Sequence, residues 1–326
     1  MLRAMWFDNH PVKWLFFPLT ILFGLLTRLR RYLFAIGVMK QRHPGIPVLV
    51  VGNISVGGNG KTPVVTQAAQ WLVDAGYSPG ILSRGYGGHC TTFPHHVKPT
   101  DTAAWVGDEP KLMASRLSCP VVIDPIRYRG AQHLKGLGCN VVVCDDGLQH
   151  YALGRDIEWV VMDDRRVGNG ALLPMGPLRE PVKRLSTVNA IIHNGQNPLV
   201  NNAYAMTLNP SVIRNVRNNE EVLTIDAFRQ QYADGVTALA GIGDPTRFFT
   251  TLSNLHIKVT EALPFPDHHA FSAQDLPLGA TIMTEKDAVK CTAFAHPDCW
   301  YLEVSANLPN TLKSALLDKL ADIASN

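Results

Sequence analysis

Several features that identify common protein classes are absent from this 326-residue sequence or scarce in it. The six cysteines form no C-x-x-C pair, which argues against a zinc site or a disulfide framework. No internal repeat indicates a solenoid. Charged residues make up only 17% and apolar residues 46%, too hydrophobic a balance for a disordered chain. We therefore expect a reduced, cytosolic-facing globular protein of about two domains, or one large α/β domain.

Positive charge is concentrated near the N-terminus. Residues 1–40 contain six Lys and Arg side chains against one Asp, so the rest of the chain is faintly acidic although the total is +3. A nucleic-acid binder normally spreads a basic stripe over its folded domain, so we expect no nucleic-acid partner.

No uncharged apolar run is long enough to span a bilayer. Residues 14–26 (WLFFPLTILFGLL) would form a helix of about 20 Å, short of the roughly 30 Å hydrocarbon core. Arg28, Arg30 and Arg31 follow, without the small residues of a signal-peptide cleavage site. One interpretation is a helix buried in the core. The other is that residues 1–40 form a membrane-associated segment that lies in the bilayer interface. The aromatic residues beside the arginines favour this second interpretation.

A glycine-rich loop follows the apolar run at residues 48–51, and apolar periodicity through Leu72 then predicts a helix ending near Gly76. Strand, loop and helix are the context that makes a P-loop assignment meaningful, although an ordinary glycine-rich turn is the alternative. A P-loop binds the phosphates of a nucleoside triphosphate through its backbone N–H groups. Ser55 stands where the motif has glycine, so Gly57 and Gly58 are expected to form the turn. The expected nucleotide-binding residues are Ser55, Gly57, Gly58, Asn59, Gly60, Lys61 and Thr62, the last also a Mg²⁺ ligand.

A P-loop kinase also needs carboxylates for Mg²⁺ and for the proton of its acceptor. Three acidic pairs qualify, Asp145-Asp146, Asp163-Asp164 and Asp108-Glu109. Asp145 is the better metal candidate because a glycine and two polar side chains follow it, whereas Asp163 suits a structural role. Asp108 and Glu109 would also suit a helix N-terminus, and periodicity alone does not assign them.

Seven motifs together resemble the tetraacyldisaccharide 4'-kinase family of lipid A biosynthesis. They are GGNGKTP at 57–63, SRGYGG at 83–88, VGDEP at 106–110, DDGLQH at 145–150, GPLRE at 176–180, FPDHH at 265–269 and TEKDAVK at 284–290. Many protein families share the P-loop alone. The order of DDGLQH and FPDHH behind an apolar, basic N-terminus is far more specific.

The resemblance implies transfer of the γ-phosphoryl group of ATP to the 4'-hydroxyl of an acylated glucosamine disaccharide 1-phosphate, giving lipid IVA. It implies ATP and Mg²⁺ as cofactors and two lobes that close on ATP. It also implies a peripheral enzyme on the cytoplasmic face of the bacterial inner membrane, which agrees with the N-terminal segment. We infer no obligatory protein partner.

The same resemblance assigns site residues by motif. Asp108 matches the catalytic aspartate and His268 its dyad partner. Lys61 and Thr62 match the phosphate and metal residues, with Glu109, Asp145 and Asp146 around Mg²⁺. The residues matched near the nucleotide or acceptor are Tyr86, Gln149, His150 and Arg179. The chemistry agrees, because a sugar hydroxyl needs a carboxylate to take its proton and a histidine can orient that base. From the residues alone, His268 and His269 are equally well a surface pair.

The fold class expected is α/β, a P-loop kinase-like parallel-sheet domain with a second, smaller α/β domain. The expected ranges are 1–40 for the membrane-associated segment, 41–200 for the kinase domain and 201–326 for the C-terminal lobe. Residues 195–202 suggest a hinge loop. Two short strands at 205–208 and 212–216, separated by Asn209-Pro210, would form a two-stranded linker.

Two other classes of protein share some of these features. A membrane-associated GTPase-type switch or partitioning ATPase would use the same loop and anchor without phosphorylating a small molecule. Guanine recognition is unsupported, because residues 284–287 read T-E-K-D and not in the N-K-x-D order. A non-catalytic P-loop scaffold would have little use for Asp108 and His268 together.

Overall fold

The computed structural model describes residues 2–8, 10–195 and 203–325. The helices are α1 (Leu2–Phe7), α2 (Phe17–Ala35), α3 (Lys61–Asp74), α4 (Ala103–Val106), α5 (Asp108–Arg116), α6 (Arg127–Gly136), α7 (Ile225–Gln231), α8 (Pro245–Asn254), α9 (Glu285–Cys291) and α10 (Asn310–Ser325). The strands are β1 (Val48–Gly52), β2 (Pro79–Ser83), β3 (His95–His96), β4 (Val121–Ile123), β5 (Val141–Asp145), β6 (Ile157–Asp163), β7 (Ala190–Asn194), β8 (Ala203–Asn215), β9 (Val222–Leu223), β10 (Val236–Ala240), β11 (Val259–Pro264), β12 (Thr281–Thr284) and β13 (Cys299–Asn307). Short 3₁₀ helices lie at Pro11–Phe16, Val182–Thr187 and Ala273–Asp275.

The chain divides into two compact units. The first comprises Met1–Arg84, Asp124–Thr207 and Leu308–Asn326, and the second comprises Gly85–Ile123 and Leu208–Asn307. These ranges differ from the expected 41–200 and 201–326 at three segments, residues 85–123, 203–207 and 308–325. The segment that contains α5 belongs to the second unit because α5 packs against α9, and α10 belongs to the first because it packs against α3.

The first unit is built on a parallel sheet in the order β2-β5-β1-β6-β7, and β7 pairs in parallel with the first residues of β8. Strands β1 and β5 are buried along their whole length, as expected of apolar strands covered on both faces. Their register pairs Val51 with Asp145, so the carboxyl end of β5 lies beside the end of β1. Helix α3 packs against β1, β2 and β5 through an apolar face that includes Val65 and Leu72.

The second unit is also α/β. Its parallel strands run in the order β11-β10-β12-β13, while β3 pairs with β4 and the end of β8 with β9 in antiparallel fashion. Phe228 and Trp300 are among the largest side chains in its core. Helix α9 follows β12 directly and packs against β12 and β13.

Residues 203–215 form the single strand β8 rather than the two short strands expected around Asn209-Pro210. Proline lacks an N–H donor, but its φ is compatible with an extended backbone, so it removes one possible hydrogen bond without ending the strand. The first part of β8 belongs to the first unit and the rest to the second. The hinge expected at 195–202 lies, apart from Gly195, outside the described residues.

Helix α2 packs against the rest of the first unit through one narrow face. The Thr20 hydroxyl accepts a hydrogen bond from the Met175 N–H at 3.0 Å and donates to the Leu172 carbonyl at 3.4 Å. Gly24 is the one buried residue of α2, all of whose residues are described. The interpretation as a buried core helix is therefore wrong. The segment Pro11–Ala35 is long and apolar enough to cross a membrane by length and composition alone.

Candidate active site

The glycine-rich loop joins β1 to α3, as its sequence predicts. Gly57 has φ +107° and Gly60 has φ +84°, in the region that favours glycine, whereas Gly58 does not lie there. A Cβ atom added at Gly60 would lie 2.4 Å from Asn194 Nδ2. Gly57 and Gly60 therefore form the turn, rather than the Gly57 and Gly58 expected from the sequence.

Side chains of the first unit hold this loop from the protein interior. The buried Asn59 donates from Nδ2 to Ser55 Oγ at 3.1 Å, and its Oδ1 accepts from the Arg165 guanidinium at 2.9 Å. Arg165 also donates to the Gly58 carbonyl at 3.1 Å and forms an ion pair with Asp163 at 2.5 Å. Asp163 thus has the structural role expected for it, and it acts through Arg165, which no sequence signal marked.

Lys61, Asp146 and Arg179 form a charged cluster beside the loop. Lys61 Nζ lies 3.6 Å from Asp146 Oδ1, and the Arg179 guanidinium lies 3.3 Å from Asp146 Oδ2. Burial opposes ionisation of Asp146, but the two cations outweigh it and lower the pKa of this carboxyl. Arg179 is placed by its backbone N–H, which donates to the Ile54 carbonyl at 2.7 Å.

The other predicted residues of the DDGLQH motif lie in the same unit. Asp145 is the buried last residue of β5. Gln149 donates to the Asn53 carbonyl at 2.9 Å, and Asn53 donates to the Gly57 carbonyl at 3.2 Å, so the motif is tied to the loop. Burial and the nearby Arg127 and Arg155 cations lower the pKa of His150 to about 4, so its imidazole is neutral at pH 7.

The chemistry of Thr62, Asp145 and Asp146 suits Mg²⁺, which prefers oxygen ligands and usually takes one or two carboxylates together with substrate phosphates. Within the described ranges, no group of three or more His, Cys, Asp or Glu side chains is arranged to hold a metal ion by itself. These residues therefore suit a metal ion that is bound together with a nucleotide better than one that is held by protein ligands alone.

A second cluster is built in the second unit around Asp108 and His268. Asp108 is the first residue of α5 and follows Gly107, where a Cβ atom would lie 2.6 Å from the Tyr86 carbonyl oxygen. His268 Nδ1 lies 3.1 Å from Asp108 Oδ2, although 160 residues separate the two in sequence. His268 has φ +60° and lies in a turn closed by the His269 N–H and the Pro266 carbonyl.

Charges of both signs act on the protonation of His268. The hydrogen bond that His268 donates to the Asp108 carboxylate raises the pKa of His268, while burial and the Lys286 cation oppose that rise. The Tyr86 ring lies edge-on to the His268 ring with centroids 5.6 Å apart, and its side chain is exposed. Glu109 Oε1 lies 3.9 Å from Lys286 Nζ.

The predicted site residues thus form two groups. The loop residues, Asp145, Asp146, Gln149, His150 and Arg179 lie in the first unit, whereas Asp108, Glu109, Tyr86 and His268 lie in the second. Glu109 lies in a different unit from Thr62, Asp145 and Asp146, the other residues matched around Mg²⁺. Two lysines of the TEKDAVK motif belong to the second group but received no role from the sequence. Lys286 Nζ lies 3.4 Å from His268 Nε2, and Lys290 Nζ lies 3.9 Å from Asp108 Oδ2.

Comparison with known proteins points to one family. The family described as Tetraacyldisaccharide-1-P 4'-kinase matches residues 12–321. A tetraacyldisaccharide 4'-kinase from Pseudoalteromonas atlantica is 50% identical over 308 residues, which cover 94% of this chain and 99% of that protein. One from Tolumonas auensis is 46% identical over 332 residues, covering 99% and 98%.

A solved structure is also similar. The crystal structure of LpxK from Aquifex aeolicus in complex with ATP is 28% identical and has a TM-score of 0.79, covering 95% of this chain and 99% of that one. The similarity therefore extends over nearly the whole length of both chains.

Proposed function

The chain belongs to the tetraacyldisaccharide 4'-kinase family, so its reaction is ATP-dependent phosphorylation of the lipid A precursor at the 4' position, and we propose how its own residues carry this out. The observation that supports the proposal best is the hydrogen bond between Asp108 and His268, which joins two distant family motifs. A carboxylate held by a histidine is suited to accept a hydroxyl proton.

On the nucleotide side, the loop residues bind the phosphates of ATP through backbone N–H groups and Lys61 Nζ. Gln149 positions the loop through Asn53. Arg179 and Lys61 offset the charge that develops on the transferred group. Bound with the nucleotide, Mg²⁺ would neutralise part of the charge on the β- and γ-phosphates, and we assign it to Thr62, Asp145 and Asp146. The family match adds Glu109, whose Oε1 lies 3.9 Å from Lys286 Nζ in the second unit.

On the acceptor side, Asp108 takes the proton of the 4'-hydroxyl as that oxygen forms its bond to the γ-phosphorus. The bond between the γ-phosphorus and the bridging oxygen breaks, and ADP leaves with that electron pair. His268 orients the Asp108 carboxylate through Nδ1. The exposed Tyr86 ring beside His268 is placed to contact the sugar or its acyl groups.

The substrate is a lipid, which gives the exposed apolar face of α2 a role. We propose that α2 lies in the interface of the bilayer at the cytoplasmic face of the bacterial inner membrane. Trp14 and Leu15 just before the helix, and leucines along it, expose apolar surface that such an interface would cover.

The reaction is tested by transfer of labelled γ-phosphate from ATP to tetraacyldisaccharide 1-phosphate in detergent micelles. Wild type should label the lipid. Asp108→Ala should lose about 10²- to 10⁴-fold in kcat, the usual contribution of a general base. It should keep its affinity for ATP, because Asp108 is assigned to the acceptor hydroxyl rather than to the triphosphate.

The exposed Asp226, also in the second unit, provides a matched control, and Asp226→Ala should retain full transfer. Phosphate release without lipid labelling in wild type would contradict the proposal and favour the ATPase or switch alternative. Weak ATP binding by Asp108→Ala with normal turnover per bound ATP would move Asp108 to a binding role.

A further inference from the structure

The Nε2 atom of His268 faces the ammonium group of Lys286. Lys286 Nζ lies 3.4 Å from His268 Nε2 and 3.3 Å from Asp267 Oδ1. On the other side of the ring, His268 Nδ1 lies 3.1 Å from Asp108 Oδ2. The imidazole is therefore held between a carboxylate and an ammonium group, each near a different ring nitrogen.

The start of α9 fixes the position of Lys286. The Thr284 hydroxyl caps the helix by accepting from the Asp287 N–H at 3.2 Å and donates to Asp287 Oδ2 at 2.6 Å. Asp287 is fully buried and also accepts from the Gly241 N–H at 2.9 Å. Lys286 thus extends from a capped, hydrogen-bonded helix start, and its side chain is largely buried.

An ammonium group has three donors and no acceptor, so His268 Nε2 can pair with Lys286 only by accepting a hydrogen bond. A neutral histidine has one donor nitrogen and one acceptor nitrogen. Nδ1 must then carry the proton and donate it to Asp108 Oδ2. We propose that Lys286 is a positioning residue that favours the neutral Nδ1–H form of His268 over the doubly protonated form. This proposal rests on the proposed function of Asp108 as the base.

The charges around His268 show why such a residue is needed. Asp108 and Asp267 are acidic and favour a doubly protonated imidazolium, with Asp267 Oδ1 3.9 Å from Nε2. Lys286 opposes this, and its own charge faces Asp267 and Glu109. Lys290 Nζ lies 3.9 Å from Asp108 Oδ2 and 2.7 Å from Asp287 Oδ1, and the Tyr86 ring packs edge-on against the imidazole.

Protonation of Nε2 would weaken the catalytic base. An imidazolium forms a stronger hydrogen bond to the Asp108 carboxylate, which then competes less well for the hydroxyl proton. The Asp108 hydrogen bond raises the pKa of His268, and the Lys286 cation lowers it. Loss of Lys286 should therefore raise the pKa of His268 further. As the pH falls, His268 would then be protonated at a higher pH than in wild type.

The test compares Lys286→Met with wild type in the full chain. The pH titration of His268 is followed by NMR on ¹⁵N-histidine-labelled protein, and kcat is measured across pH with the labelled-phosphate assay. In Lys286→Met the pKa of His268 and the acid limb of kcat should both rise by about half to one pH unit, the size expected from loss of one nearby charge. KM for ATP should not change.

Three further variants make the test specific. Lys286→Arg keeps a donor-only cation and should retain the wild-type acid limb of kcat. Lys286→Gln keeps a donor without the charge, so it should shift the acid limb by less than Lys286→Met does. If Lys286→Met does not fold, Lys286→Gln carries the comparison. Lys258 is an exposed lysine of the second unit, and Lys258→Met should behave as wild type.

An unchanged His268 titration in Lys286→Met, with kcat lowered equally at every pH, would overturn the proposal and leave Lys286 a structural role. The NMR titration needs no turnover. It can therefore confirm or reject the Lys286 contact even if wild type fails to label the lipid, which is the result that would overturn the proposed function itself.

Discussion

Gly58 and Gly60 of the phosphate loop differ in the side chains that they tolerate. Gly60 has φ +84° and its Cβ position lies 2.4 Å from Asn194 Nδ2, whereas a Cβ atom at Gly58 meets nothing within 4 Å. We expect Gly60→Ala to lower the free energy of unfolding by about 1–3 kcal/mol, because the left-handed backbone and the contact with Asn194 both oppose the methyl group. Its ATP affinity should fall as well, because Gly60 precedes Lys61 at the start of α3.

Gly58→Ala is the matched control. Denaturant unfolding without nucleotide should give the wild-type free energy for this variant, and a separate ATP titration reports binding. Equal stability of the two alanine variants would mean that the loop relaxes without cost and that Gly60 is not conformationally required.

The sequence separation of the partners decides which site residues can be predicted. Lys61 and Thr62 are predictable because the strand, loop and helix that position them are consecutive in the chain. Asp108 and His268 meet across 160 residues, and only the family motifs connected them. Lys286 was part of a quoted motif but received no role, since its contact with His268 depends on where α9 lies in the fold.

At the scale of elements, local signals predict most boundaries but fail where tertiary pairing overrides them. Apolar periodicity predicted α3 to within a few residues. The Asn209-Pro210 turn signal, by contrast, predicted a break inside β8. The Asn209 carbonyl accepts from Ser305 Oγ, and Ser211 Oγ donates to the Glu303 carbonyl, so β13 supports an extended backbone at that point.

One face of helix α2 carries exposed leucines that could contact the membrane. Leu19, Leu22 and Leu26 have helical spacing, are each more than half exposed, and lie opposite the face that carries Thr20 and Gly24. Replacing the three leucines by Gln should weaken binding to vesicles of phosphatidylethanolamine and phosphatidylglycerol about 10²-fold, if each half-buried leucine contributes about 1 kcal/mol. Flotation with the vesicles measures this.

Turnover of the triple variant on detergent-dispersed substrate should remain close to wild type, because these side chains are not part of the packed core. The fully exposed Leu278 lies in the second unit, and Leu278→Gln should not alter vesicle binding. An equal loss of activity in detergent and on vesicles would indicate that the leucines support the fold rather than the membrane contact.

At the scale of the whole molecule, sequence reasoning placed one boundary near residue 200, but both compact units are assembled from separate segments. The composition change at 195–202 is local, whereas membership of a unit depends on which helices pack together. Leu112 of α5 packs in a small buried cluster with Val289 of α9. The buried Leu316 of α10 belongs to the first unit. Neither the packing of α5 against α9 nor the membership of α10 in the first unit can be predicted from the residues near position 200.

A cut between residues 200 and 201 should therefore not release two folded domains. Fragment 201–326 lacks α5, so the face of α9 that packs against it would be exposed, and its α10 has lost α3. We expect this fragment alone to show weak near-ultraviolet circular dichroism and no cooperative thermal transition. Co-expressed with fragment 1–200, it should regain both, because each half supplies a segment that the other half's unit needs. A cooperative transition of 201–326 by itself would show that the lobe folds without 85–123 and that packing of α5 against α9 contributes little to its stability.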